Sequence, residues 1–197
     1  MTVWLAGRKD ADQLLERDPL ALLVGLLLDQ QVPMERAFAG PYVILSRLAE
    51  QQNRPVRDDE RLDAAEIGSY DPQVLAELFA TPPAVHRYPA AMAERVQALC
   101  RYLTAEYGGD AAAVWRDVPS GSDLLGRAKA LPGYGAQKAA ILVALLGKQF
   151  GVQPPGWREA AGAYGEQGSR RSIADVTGPE ELAEVRAFKK LMKARQR

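Results

Sequence analysis

Nine consecutive residues, Leu20 to Leu28, carry no polar side chain. A helix built from them has no face that tolerates water, so other elements must enclose it on every side. Asp18 is a ready N-cap and Pro19 suits the first helical position, which makes a helix the expected conformation. The run is shorter than the ~20 apolar residues that cross a bilayer. Charged residues rather than a basic leader precede it, and Asp29-Gln30-Gln31 closes it. The expectation is a buried central helix in a cytoplasmic protein.

The rest of the chain is punctuated in the same helical manner. Met34 to Ala49 carries apolar residues at 37, 38, 42, 45 and 48, a helix with a bend expected at Gly40-Pro41. Gln51 to Arg61 is polar and reads as a loop, followed by two short elements, Leu62 to Ile67 and Gln73 to Ala80, the second opened by Asp71-Pro72. Pro89 to Tyr107 reads as a long helix ended by Gly108-Gly109, and Asp110 to Val118 as a short one. A helix from Asp123 with Ser122 or Asp123 as N-cap, another from Ala136 to Phe150, a segment from Trp157 to Tyr164 and a last helix opened by Thr177-Gly178-Pro179 complete the pattern. That last helix carries Arg186, Lys189, Lys190, Lys193, Arg195 and Arg197. No strand signal of comparable strength and no internal repeat competes, so the fold class is expected to be all-α.

A chain of 197 residues with 47% hydrophobic content can bury a sizeable core, as one domain or two small lobes. Its 25 basic and 25 acidic residues cancel, so any nucleic-acid-facing surface must be a local patch balanced by acid elsewhere. Cys100 is the sole cysteine, which excludes an internal disulfide and a four-thiolate zinc or iron–sulfur site. At helical spacing within Met92 to Tyr107, it reads as a buried core thiol.

Leu131-Pro132-Gly133-Tyr134-Gly135-Ala136-Gln137-Lys138 is the stretch richest in chemistry. It joins two apolar helical runs by a turn with glycine at both bracketing positions. Glycine tolerates positive φ and lets an anion approach the backbone, while the start of the following helix offers unpaired N–H groups and a positive dipole end. This is a helix-hairpin-helix, suited to holding a nucleic-acid phosphate.

The order of a buried apolar helix ending in Asp29-Gln30-Gln31, a long helix containing Ala93-Glu94-Arg95-Val96, the hairpin Leu131 to Gly135 and a Gly/Pro-rich loop beyond it resembles the helix-hairpin-helix/Gly-Pro-Asp superfamily of base-excision DNA glycosylases. The resemblance covers roughly Asp18 to Arg158, is strongest at Leu-Pro-Gly-x-Gly, and points to the small bacterial branch that lacks an iron–sulfur cluster. It implies an all-α protein of two lobes, here 18–135 as the central lobe and 1–17 plus 136–197 as the second, with double-stranded DNA containing a damaged base bound across the cleft. The damaged nucleotide would be flipped into a pocket. The resemblance further implies that Leu131, Gly133, Tyr134 and Gly135 hold a phosphate, in some members with a monovalent cation on hairpin carbonyls and with no other cofactor or metal. Gln31 matches the glutamine that fills the gap in the duplex, and Gln30 is its neighbour. The implied place of work is the bacterial cytoplasm, at the nucleoid, away from membranes; protein partners are not implied.

The chain departs from the family pattern in three places. Members that cut the DNA backbone carry lysine at the second position after the second hairpin glycine, where this chain has Gln137; Lys138 comes one residue later, turned by about 100° on a helix. A monofunctional N-glycosylase without lyase activity is therefore expected. The family's essential aspartate should end the Gly/Pro-rich loop, but Pro154-Pro155-Gly156 leads to Trp157-Arg158-Glu159. Glu159 is the nearest acid by spacing, and Asp175 has the right side chain further on. Either could stabilise the positive sugar of the transition state, or neither, and in that case the protein is a non-catalytic reader of damaged or distorted DNA. In place of the missing cluster, Arg170, Arg171, Lys189 and Lys190 could supply phosphate contacts. His86 could edge the base pocket, and Trp157 and Tyr164 could stack on an extruded base or serve only as core.

Overall fold

The computed structural model describes residues 3–195, and every regular element among them is helical, with no strand. Arg197 lies outside the described residues, as does the side chain of Arg195. Contacts divide the chain into two units. One comprises Ala6–Ala113 and Leu131–Gly133; the other comprises Val114–Ala130 and the described parts of Met1–Leu5 and Tyr134–Arg197.

The first unit holds α1 (Lys9–Arg17), α2 (Pro19–Leu28), α3 (Met34–Gln51), α4 (Ala64–Ser69), α5 (Pro72–Ala80) and α6 (Pro89–Tyr107). Its centre is α2, buried at every position from Leu20 to Leu28 and packed by α1, α3 and α6. A Cβ added to Gly25 would come within 2.7 Å of the Phe38 ring, so α2 and α3 approach as closely as they do because this position is glycine. The buried Asp18 caps α2 through the Leu20 amide (2.9 Å), and its second oxygen accepts from the Leu62 amide (2.8 Å), tying the segment before α4 to the central helix. Burial pushes the Asp18 carboxyl above its ordinary range, against the pull of these amides. The chain stays helical through Pro41 in α3. α1 is absent from the sequence reading, because its apolar stripe of Ala11, Leu14 and Leu15 is short and interrupted by charge. Cys100 of α6 is buried, and desolvation pushes its thiol up to about 12, which makes it inert packing.

The second unit holds α7 (Gly121–Ala130), α8 (Ala136–Gln149), α9 (Trp157–Ala161) and α10 (Pro179–Arg195). The helix expected from Asp110 to Val118 shrinks to a 3-10 turn, Ala111–Val114; Asp117 takes a positive φ of 52°, and Pro119 keeps its predecessor from helical geometry. α7 starts earlier than its expected caps, because Ser120 Oγ accepts from the Asp123 amide (3.1 Å). The Pro154–Gly156 loop lies directly on its first residue: the Gly121 amide donates to Pro155 O (2.8 Å), and a Cβ there would sit 2.5 Å from Gly156 O. The Trp157 ring lies against Gly147 of α8, where any side chain would collide with it. Two 3-10 turns, Gly162–Tyr164 and Ile173–Asp175, join α9 to α10. Among the described residues no helix is long and apolar enough to cross a membrane.

Candidate nucleic-acid interface

In the first unit the end of α2 turns sharply. Gln31 holds a φ of 56°, a left-handed conformation that costs a non-glycine residue roughly 1–3 kcal/mol and persists only when its surroundings enforce it. The enforcement is visible next to it. Gln30 Nε2 donates to Leu27 O (2.7 Å) and its Oε1 accepts from Arg95 of α6 (2.8 Å). The Gln30 carbonyl meets His86 Nε2 at 2.9 Å, while His86 Nδ1 accepts from the Tyr88 amide (3.1 Å). An imidazole whose Nδ1 accepts must carry its proton on Nε2, so His86 is neutral and donates to Gln30 O. Its ring is fully buried, and desolvation pushes its pKa below the ordinary value. The Gln31 side chain is exposed at the top of this clamp.

The hairpin turn rests on the same helix. Gly133 has a φ of 81°, and a Cβ there would lie 2.5 Å from Leu27 Cδ1, so the turn needs glycine on both conformational and steric grounds. Leu131 is buried, whereas Gly133 is exposed. Among the described residues the carbonyls of Leu131 and Gly133 accept no hydrogen bond, so the oxygens that a monovalent cation would need are available. No group of three or more His, Cys, Asp or Glu side chains suited to a metal occurs among the described residues.

In the second unit Gly135 occupies the N-cap of α8 with no side chain to close it, leaving early amides of the helix open to an anion. Tyr134 is buried, which pushes its hydroxyl well above 10, and Lys138 Nζ lies 6.0 Å from the centre of its ring. Gln137, one step round the helix, is exposed, and its Nε2 donates to Tyr164 Oη (3.0 Å). These two line a pocket of about 430 Å³ with Ala163, Arg171, Phe188, Lys189, Met192 and Lys193. Sequence reasoning named Gln137, Tyr164, Arg171 and Lys189 separately, and the structure brings them together. Lys193, read from the sequence only as one of the basic residues of the last helix, joins them there, whereas Phe188 and Met192 of α10 were not found, although their helical spacing could have flagged a common face.

The two candidate acids differ sharply. Asp175 is buried: Oδ1 pairs with Lys148 Nζ (2.6 Å), and Oδ2 accepts from the amides of Arg171 (2.9 Å) and Ser172 (3.1 Å). Ser172 completes the capping box by accepting from Ala174. Both Asp175 oxygens are thus engaged in holding the turn before α10. Glu159 is exposed in the first turn of α9 and pairs with nothing among the described residues. Trp157 is buried with the Arg158 guanidinium 4.4 Å from its ring centre, and it does not line the pocket. His86, buried in the first unit, acts on backbone rather than on a cavity. Arg170 is paired with Glu184, Arg171 stacks on Phe188 at 5.1 Å, and Lys190 is exposed on α10.

Tyr88 is a residue that the sequence did not single out. It is 44% exposed, its ring centre 6.0 Å from that of His86, with the Arg87 guanidinium 4.8 Å above it. An exposed aromatic ring tied through His86 to the Gln30–Gln31 turn is suited to stacking on bases. No model of a known protein family and no curated protein matches the chain.

Proposed function

We propose that the protein is a monofunctional DNA glycosylase of the helix-hairpin-helix/Gly-Pro-Asp type, acting in base-excision repair on double-stranded DNA that contains a damaged base. The observation that carries this reading is the Gln30–Gln31 turn. An exposed polar side chain is held in a left-handed backbone by Gln30, Arg95 and His86, on the helix against which Gly133 of the hairpin packs. Strain maintained at an exposed residue by such a clamp supports a functional role for that residue.

In this reading the hairpin amides take a phosphate, and the carbonyls of Leu131 and Gly133 would hold a monovalent cation, which would supply further positive charge for it. Gln31 occupies the space left in the duplex as the damaged nucleotide swings out. Tyr88 stacks on a neighbouring base. Glu159, the acid with both oxygens unengaged, stabilises the positive charge that grows on the sugar as the bond from C1′ to the base nitrogen breaks. Water adds its oxygen to C1′, and its proton leaves on the base. The lyase step has no amine to start it: Gln137 stands where a lysine would be needed, and Lys138 turns toward Tyr134.

The engagement of both Asp175 oxygens supports a second reading, a damaged-DNA reader that has lost its aspartate. The test is incubation with end-labelled duplexes, each carrying one alkylated, deaminated or oxidised base, read for free base and for strand scission with and without alkali. Free base with alkali-dependent scission, abolished in Glu159→Gln, is the expected result. Tight lesion binding without release establishes the reader, and a borohydride-trapped covalent complex overturns the absence of lyase chemistry.

A further inference from the structure

Resting on the glycosylase reading, we propose that the pocket beside Gln137 accepts an uncharged, carbonyl-rich base with a ring N–H, the deaminated or oxidised class, and excludes positively charged alkylpurines. Three observations combine. The pocket is lined by Arg171, Lys189 and Lys193 and by no carboxylate; Glu166, which pairs with Arg171 Nε at 3.9 Å, is outside the lining. Such a wall attracts carbonyl oxygens and repels a ring that bears formal positive charge.

The second observation is the direction of the polar pair. Gln137 Nε2 is used on Tyr164 Oη, while Gln137 Oε1 receives no hydrogen bond among the described residues. Gln137 therefore offers the ligand an acceptor, and Tyr164 retains a hydroxyl proton to donate. An acceptor flanked by donors complements an edge in which a ring N–H lies beside carbonyls, as in uracil, in oxidised pyrimidines and in part in hypoxanthine. Cytosine places an unprotonated ring nitrogen where uracil has N–H, so it would set acceptor against acceptor.

The third is the apolar surface. Phe188, half-buried with the Arg171 guanidinium over its ring, and Met192 give the pocket apolar lining, and its size suits a planar ligand. Undamaged guanine also carries an N–H beside a carbonyl, but extruding it breaks a full base pair, whereas uracil or hypoxanthine in a mispair comes out at lower cost.

The test uses the full chain and duplexes carrying uracil opposite guanine, hypoxanthine opposite thymine or 7-methylguanine opposite cytosine. Free base is measured by chromatography under single turnover, and affinity by fluorescence anisotropy. Release of uracil or hypoxanthine about a hundredfold faster than 7-methylguanine is expected, falling about tenfold or more in Gln137→Ala and narrowing in the double variant Lys189→Glu, Lys193→Glu. 7-Methylguanine released as fast or faster overturns the substrate class and leaves the glycosylase reading standing. If no base is released, an affinity about tenfold tighter for the uracil duplex, lost in Gln137→Ala, upholds the pocket and refutes catalysis; equal affinities refute the pocket as well. Circular dichroism of each variant separates misfolding from a change of recognition.

Discussion

The Gln30–Gln31 turn and the Gln137–Tyr164 pocket both depend on glutamine amides and use them in opposite ways. At the turn, the Gln30 amide is engaged at both ends, by Leu27 O and Arg95, and the backbone carbonyl beside it is engaged by His86. At the pocket, one atom of the Gln137 amide is engaged and the other is open. Full engagement fixes a backbone, and partial engagement leaves capacity for a ligand. The same contrast separates the acids, since Asp175 resembles Gln30 and Glu159 resembles Gln137.

That contrast breaks most visibly at the acids. Asp175→Ala leaves Lys148 unpaired and two amides without an acceptor, with a loss of roughly 3–5 kcal/mol in denaturant unfolding. Glu159→Gln, at an exposed unpaired position, is expected to stay within about 0.5 kcal/mol of the parent. Base release should nevertheless fall by about 10²–10³ in Glu159→Gln. A folded Asp175→Asn protein that loses release while Glu159→Gln retains it would reverse the assignment.

Next in size is the clamp. His86→Ala removes the partner of the Gln30 carbonyl and of the Tyr88 amide, both part-buried, and empties the space of a buried ring, a cost of about 1–3 kcal/mol. Lesion-duplex affinity should fall with it, because Gln31 is no longer held in its left-handed backbone. Retention of full affinity would separate the clamp from DNA recognition.

A smaller effect follows from the same ring through pH. Burial lowers the folded His86 pKa below the ordinary 6.5, so the unfolded chain takes up a proton first as the solution is acidified. Stability from this group is complete above pH 6.5, declines as pH falls through 6.5 toward the lower folded value, and levels off beneath it. Protonation also forces Nδ1 to donate toward the Tyr88 N–H, which ends the clamp. Unfolding measured between pH 5 and 7.5 should show this decline in the parent and not in His86→Gln.

Helix positions were legible in the sequence wherever apolar period and punctuation coincided. Pro89 to Tyr107 has proline at its start and Gly108 at its end, and α6 occupies those bounds. Leu20 to Leu28 has no polar face, and α2 is buried throughout. Legibility failed where tertiary contacts decide. The local apolar stripe of α1 is too short to stand out by itself, and nothing local shows that Gly121 must stay bare because Gly156 O lies against it. In the candidate site, residue types were readable but their engagement was not. Asp175 and Glu159 were equivalent carboxylates until Lys148, 27 residues before Asp175, proved to be paired with it. Tyr88 shows the same limit, because exposure is a property of what packs elsewhere.

The smallest effect sharpens the contrast most, because its two readouts move in opposite directions. Gln31→Gly removes a side chain from a left-handed backbone, relieving about 1 kcal/mol or more of conformational strain, while glycine's freedom in the unfolded chain takes back part of that gain. The net change is a stabilisation of a few tenths to about 1 kcal/mol, seen as a higher midpoint in denaturant. Lesion-duplex affinity and base release should fall in the same protein, since nothing then fills the gap beside the flipped nucleotide. Gln31→Ala loses the same function without the relief of strain and so separates the two terms. A glutamine retained only for the fold would have neither property, because its loss to glycine would leave DNA binding unchanged. A variant that gains stability as it loses DNA would identify Gln31 as a position where strain is held for function.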